Sequence, residues 1–223
     1  DVLAAAAVET VLASSDEAFT GMHVARAAAA AVPDGGLLWA GASWPVRHLA
    51  AFAANAVQDA VILGNRGTAG IDGCVSSAWG AAAVLQRNGG AGAIALMGDQ
   101  TFLYDSNGLI APADEERPDL VIVVPDNDGG GIFSSLEQGA PRFAGTFERV
   151  FGAPHGLDLV AIATSLGTPA VVVESVPALQ AAIDEAAGLG GVRVVVARTC
   201  ARDEEAAILR RIREAVGQAL ASA

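Results

Sequence analysis

Two short segments of the 223-residue chain carry residue types suited to holding a metal ion against a diphosphate. Gly98-Asp99-Gln100-Thr101 follows the apolar run Ala93-Ile94-Ala95-Leu96-Met97, and Asp126-Asn127-Asp128-Gly129-Gly130-Gly131 follows Leu120-Val121-Ile122-Val123-Val124. Ligands of open α/β sheets bind outside the carboxyl ends of the strands, which is where both segments fall. Asp99 offers a hard carboxylate oxygen, Asn127 an amide oxygen and Gly129 a backbone carbonyl, and the glycines let backbone groups come close. An all-oxygen set that leaves room for phosphate oxygens and water suits Mg²⁺, or Mn²⁺ in its place. Asp99, Asn127 and Gly129 are therefore the candidate metal ligands. Gly98, Gln100, Thr101 and Gly130 are candidates for the diphosphate cradle.

The elements that position these segments read as alternating strands and helices. Leu37–Ala40, Ala60–Leu63, Ala93–Met97, Leu120–Val124, Ala170–Val173 and Val192–Ala197 are short apolar runs, and helical patterns fill the gaps between them. Continuous apolar strands separated by amphipathic helices predict a doubly wound α/β fold, a six-stranded parallel sheet with helices on both faces. Ser14 with Glu17 three residues on has the form of a capping box and predicts a helix running through Phe19, Met22 and Val24 to Pro33. The domain is expected to span residues 14–223, with 1–13 a helical linker or tail of a preceding domain. Asp72 is expected to cap the helix from Gly73 to Gln86, and the acidic run Asp203 to Glu205 to favour the start of the last helix through its dipole.

Composition excludes some partners. The net charge is −12 with no lysine, so binding to a phosphate backbone, which needs clustered Lys and Arg, is not expected. Every apolar run is broken before the ~18 residues that a membrane helix needs. Cys74 and Cys200 read as buried or half-buried thiols of a cytoplasmic protein and not as a disulfide framework. His23, His48 and His155 show no metal-ligand spacing among themselves, and Ser134 or Ser135 lacks the elbow motif of a hydrolase nucleophile. Trp39, Trp44 and Trp79 read as packing residues.

The Gly-Asp pair followed one crossover later by Asp-Asn resembles the thiamine diphosphate signature, with Gln100 in place of a glycine and Asp126 in place of an asparagine. Three further stretches sharpen the resemblance: Gly41-Ala42-Ser43-Trp44-Pro45-Val46-Arg47, Gly64-Asn65-Arg66-Gly67-Thr68-Ala69-Gly70-Ile71-Asp72-Gly73, and Gly129-Gly130-Gly131-Ile132-Phe133-Ser134. From about Ser14 onward the chain is similar to the C-terminal, diphosphate-binding domain of the 2-succinyl-5-enolpyruvyl-6-hydroxy-3-cyclohexene-1-carboxylate synthase (MenD) family. That resemblance implies thiamine diphosphate as cofactor, held with a divalent ion. Ser43, Arg47 and Arg66 would bind substrate carboxylates, which planar guanidinium groups hold bidentately. Gly70 and Ile71 would support the bent cofactor, and Ile132 and Phe133 would wall its reactive carbon. The implied reaction removes carbon dioxide from 2-oxoglutarate and adds the remaining unit to isochorismate, the cofactor serving as electron sink. It further implies a pyrimidine-binding domain that supplies an activating glutamate, and a homodimer or homotetramer. The residues alone are also compatible with the equivalent domain of another thiamine diphosphate enzyme, a 2-oxo acid decarboxylase or acetolactate synthase type, or with a non-catalytic nucleotide-binding module.

Overall fold

The computed structural model describes residues 2–13, 18–53, 57, 59–65, 67 and 70–222. Six parallel strands form one sheet: β1 (Gly36–Ala40), β2 (Ala60–Leu63), β3 (Ala93–Leu96), β4 (Leu120–Asp126), β5 (Ala170–Val173) and β6 (Val192–Arg198), in the order β2-β1-β3-β4-β6-β5. The helices are α1 (Val2–Ala13), α2 (Gly21–Ala30), α3 (Trp44–Phe52), α4 (Cys74–Arg87), α5 (Asp99–Tyr104), α6 (Ala144–Phe147), α7 (Leu159–Ser165), α8 (Val176–Leu189) and α9 (Arg202–Ala221). The chain leaves β1 for the edge strand β2 and returns to β3 on the other side of β1. A crevice therefore opens at the carboxyl ends of β1 and β3.

Successive side chains on a strand point to opposite faces, and here both faces are apolar. On one, Leu37, Trp39, Ala95, Ile122 and Val194 pack under Val75 and Ala78 of α4, Phe102 of α5 and Leu159 of α7. On the other, Leu38, Ile94, Val121 and Val195 pack under Val24 and Ala28 of α2 and Leu179 and Ile183 of α8. The doubly wound reading of the sequence holds strand by strand. A third cluster joins Val11 and Leu12 of α1 to Ile208, Leu209 and Ile212 of α9 and to Met22. Val2–Ala13 is helical as read, and it packs on the last helix. Among the described residues no helix is long and apolar enough to cross a membrane. Both cysteines are free thiols, and burial pushes that of Cys200 up to about 12.

Two helix starts differ from the sequence reading. Ser14 to Glu17 lie outside the described residues, and Ala18 and Phe19 are not helical. α2 begins at Gly21, where the Thr20 hydroxyl accepts from the His23 N–H and the His23 ring accepts from the Thr20 N–H. Phe19 stays outside because its carbonyl accepts the Cys200 N–H at 2.7 Å, pinning this entry to the end of β6. Asp72 does not cap α4 either. The residue before the helix is Gly73, left-handed at φ 65°, and Asp72 is exposed. The cap comes from Asp105, which is 7% exposed: Oδ2 accepts the Ser76 N–H at 2.7 Å and Oδ1 the Ser76 hydroxyl at 3.2 Å. An orphan donor of the first turn is thus met by a carboxylate 29 residues away, which also complements the helix dipole.

This exchange of caps has a measurable consequence. Asp105→Ala is expected to cost about 1–2 kcal/mol in urea unfolding, whereas Asp72→Ala should stay within about 0.5 kcal/mol of the parent. The opposite ranking would restore Asp72 as the cap.

Candidate active site

Residues at the ends of β1, β3 and β4 enclose one cavity of about 380 Å³. From β3 and the start of α5 come Gly98, Asp99, Gln100 and Thr101; from the loop after β4 come Asn127, Gly129, Gly130, Ile132 and Phe133; from the turn after β1 come Ser43 and Arg47; and Ile71 closes the side before α4. Nearly every residue singled out in the sequence thus converges on one space. Gly70 does not line it, and Arg66 lies outside the described residues.

Asp99 organises the floor. It is 3% exposed, and its Oδ1 accepts the N–H of Gln100 at 2.6 Å and its Oδ2 the N–H of Gly129 at 2.7 Å, joining the ends of β3 and β4. The loop after β4 can turn so tightly because it is glycine: Gly129 sits at φ 132°, and a Cβ there would strike the Gly152 carbonyl. The Gly129 carbonyl accepts the Gly131 N–H at 2.9 Å, and the Asn127 amide packs beside Gly131. Gln100, which stands where the signature has glycine, donates from its side-chain amide to the Ala153 carbonyl at 3.2 Å.

Two further residues, neither of them among the expected metal ligands, adjoin Asp99 beside the cavity: His155, which sequence spacing did not point to, and Asp126. His155 Nε2 lies 3.4 Å from Asp99 Oδ2 and 3.5 Å from Asp126 Oδ1, and the three residues offer ligand atoms within 4.8 Å of one another. The histidine is 56 residues from Asp99, a separation that no local pattern reveals. Its Nδ1 accepts the Leu157 N–H at 3.0 Å, which puts the proton of the neutral ring on Nε2, facing the carboxylates. The hydrogen bond to Asp99 and the surrounding acids raise its pKa above the ordinary histidine range. Burial, and then the neighbouring Asp99, push the Asp126 carboxyl up. Two carboxylates crowded in a half-buried niche repel one another and favour a cation between them. Asp99, Asp126 and the Asn127 amide fit a hard divalent ion by donor chemistry, and His155 adds a nitrogen that Mn²⁺ accepts more readily than Mg²⁺. Ser135 donates to the Ile132 carbonyl at 2.9 Å and has no part in a nucleophilic pair with His155.

The opposite wall holds a strained turn. Ser43 precedes α3 at φ 68° and ψ −133°, a conformation costly for a residue with a Cβ, and its side chain makes no capping bond. Arg47, one helical turn on, donates from Nη1 to the Ser43 carbonyl at 2.8 Å. Ser43 and Arg47, four residues apart at the start of α3, both line the cavity. Deeper in the same cavity wall, with Gly21 and His48, Glu205 is 3% exposed, although it stands in the first turn of α9 with Asp203 and Glu204. It accepts the Gly21 N–H at 2.6 Å and lies 3.7 Å from His48 Nε2. Burial raises its pKa to about 7 and lowers that of His48 to about 4, so near neutrality this contact is not an ion pair.

Comparisons with known proteins give the family and the fold. The family model described as the thiamine pyrophosphate enzyme, C-terminal TPP binding domain, matches residues 45–197. The 2-succinyl-5-enolpyruvyl-6-hydroxy-3-cyclohexene-1-carboxylate synthase of Thermobifida fusca (strain YX) is 45% identical over 222 residues, which are 95% of this chain and 36% of that protein. The enzyme of the same name from Rhodococcus erythropolis is 49% identical over 183 residues, 81% of this chain and 32% of that one. The chain thus spans about a third of the length of these curated relatives. Among solved structures, the benzoylformate decarboxylase of Polynucleobacter necessarius superposes with a TM-score of 0.63 at 21% identity, covering 82% of this chain and 33% of that one, which speaks for the fold.

The buried Glu205 and His48 make opposite contributions to stability. Glu205 holds its proton in the folded state from its ordinary 4.5 up to about 7, so its contribution falls as pH rises through that window. His48 is stripped of its proton down to about 4 against an ordinary 6.5, so its contribution rises with pH between those values. Removing one exposes the other. Between about pH 5 and about pH 6.5, Glu205→Gln is expected to gain stability relative to the parent by about 1 kcal/mol per pH unit, and His48→Gln to lose a similar amount. Urea unfolding at the two ends of this range checks it, and differences independent of pH would contradict it.

Proposed function

Because the chain belongs to the thiamine pyrophosphate enzymes, as their C-terminal TPP binding domain, we propose that it is the cofactor-binding part of a synthase that takes 2-oxoglutarate and isochorismate to 2-succinyl-5-enolpyruvyl-6-hydroxy-3-cyclohexene-1-carboxylate. The observation that carries the substrate reading is the Ser43–Arg47 turn, which opens onto the same cavity as Asp99 and Gly129. A strained serine whose hydroxyl is not spent on a cap, next to a guanidinium, suits a ligand carboxylate, and both proposed substrates carry carboxylates. Arg66 would supply a second clamp from the loop after β2.

Asp99, Asn127 and the Gly129 carbonyl would hold the divalent ion and through it the diphosphate, with Asp126 and His155 completing the acidic niche. Thiamine diphosphate, when bound, supplies the electron sink for decarboxylation and carbon–carbon bond formation. The chain's own residues would bind and enclose it. Ile71 beside Gly70 would support the cofactor, Ile132 and Phe133 would keep water from the reacting carbon, and Ser43 with Arg47 would hold the oxo acid by a carboxylate so that carbon dioxide departs from the carbon next to the ketone in a dry environment. Residues 14–223 form the cofactor-binding domain in this reading, and 1–13 end a preceding segment. The activating glutamate would come from a pyrimidine-binding domain, across the interface of a homodimer or homotetramer in the cytoplasm. The 223-residue chain alone is accordingly expected to release no carbon dioxide from 2-oxoglutarate.

In the full-length enzyme, Asp99→Ala should abolish metal-dependent cofactor binding in calorimetry. Arg47→Ala and Arg66→Ala should leave that binding nearly intact while lowering kcat/KM for 2-oxoglutarate about tenfold to a hundredfold, the equivalent of about 1.5–3 kcal/mol for a charge-assisted hydrogen bond. If both arginine variants turn over normally, the substrate reading falls, and the domain serves a thiamine diphosphate enzyme with other substrates.

A further inference from the structure

We infer that Glu205 and His48 are positioning residues that hold the Ser43–Arg47 turn in its carboxylate-binding shape, an inference that rests on the function proposed above. The turn needs an external hold. Ser43 occupies a positive-φ conformation that only surrounding structure can maintain, and it gives α3 no side-chain cap. The contacts that supply the hold run through the interior. Glu205, in the first turn of α9, accepts the N–H of Gly21 at the start of α2, 184 residues away in sequence, at 2.6 Å. Its other oxygen faces His48 Nε2 at 3.7 Å. His48 follows Arg47 directly and stacks on Trp44, ring centroids 4.7 Å apart and planes within 15°, and Trp44 follows Ser43 directly. Phe52 meets the other side of the imidazole edge-on at 6.0 Å.

Trp44, His48 and Phe52 recur every four residues and so form one stripe of α3, of which Trp44 and His48 line the cavity beside Ser43 and Arg47. Gly21 makes this closure possible, because a Cβ there would lie 3.0 Å from the His48 ring and 3.2 Å from Glu205 Oε2. His48 is 2% exposed and its Nε2 has no hydrogen-bond partner, so the ring acts here through stacking and contact with the carboxyl. Burying a carboxyl where an apolar side chain would pack more cheaply is explained by the Gly21 N–H, which needs an acceptor at the point where α2, α3 and α9 meet. Movement at that junction passes along the Trp44–His48 stack to the backbone of Ser43.

The test uses the full-length enzyme with bound cofactor and Glu205→Ala, Glu205→Gln and His48→Ala. Glu205→Ala should raise KM for 2-oxoglutarate about tenfold, with kcat and cofactor affinity changed less than about threefold. Glu205→Gln should recover most of the loss, since its amide oxygen still accepts the Gly21 N–H. Amide exchange read by mass spectrometry should be about tenfold faster over residues 44–52 in Glu205→Ala and His48→Ala, and unchanged over 74–87 and 93–96. The inference is overturned if exchange over 44–52 does not change, if Gln fails to recover what Ala loses, or if cofactor affinity falls by a similar factor as KM rises. Should the parent enzyme not use 2-oxoglutarate at all, the functional proposal fails alone and the exchange pattern still decides whether the anchor exists. If Glu205→Ala does not fold, the Gln and His48 variants decide by the same exchange criterion.

Discussion

A single buried carboxylate, Asp99, ties the carboxyl ends of two central strands together. It draws the Gln100 N–H from its own helix turn, the Gly129 N–H from the loop after β4 and the His155 imidazole from a third segment. A carboxyl group removed from water must have its oxygens met by donors or a cation, and so these segments are held at hydrogen-bonding distance from one point. The glycines of the β4 loop serve the same end, since side chains at 129 and 130 would collide with the backbone at 151 and 152. A metal ion placed among Asp99, Asp126 and Asn127 would replace part of this donor set without altering the scaffold that presents it.

The strand order explains why the Ser43–Arg47 turn and the Asp99 floor share one cavity. β3 lies between β1 and β4, so the turn after β1 faces the floor built after β3 and β4. The two walls are stabilised by different means. The floor depends on hydrogen bonds to a carboxylate, whereas the β1 turn depends on aromatic stacking and on contacts from α2 and α9 that brace a strained serine. Ile132 and Phe133 complete the enclosure with apolar surface, Phe133 resting on Phe151 at 5.4 Å between ring centroids.

The sheet was legible because parallel strands buried on both faces must be continuously apolar, and the six runs became six strands, with β4 continuing through Pro125 and Asp126. The cofactor segments were legible because their residue types sit directly after strands, where geometry carries them to one crevice. Specific side-chain contacts between residues far apart in sequence were not legible. Asp72 has the type and place of a cap, while Asp105, 29 residues from Ser76, does the capping. His155 and Asp126 join Asp99 only through the fold. Glu205 resembled one more acidic residue of a helix start, yet it turns inward, because the unpaired Gly21 N–H awaits it there.

The central claim is that the Asp99 niche binds a divalent ion that in turn holds a diphosphate. Mn²⁺ in place of Mg²⁺ makes this directly visible in the full-length enzyme, because an electron spin bound to phosphate oxygens couples to the ³¹P nuclei of thiamine diphosphate. Pulsed electron paramagnetic resonance should show ³¹P coupling to protein-bound Mn²⁺, and both the bound ion and the coupling should vanish in Asp99→Ala. Protein-bound Mn²⁺ without any phosphorus coupling, or coupling that survives in Asp99→Ala, would contradict the account.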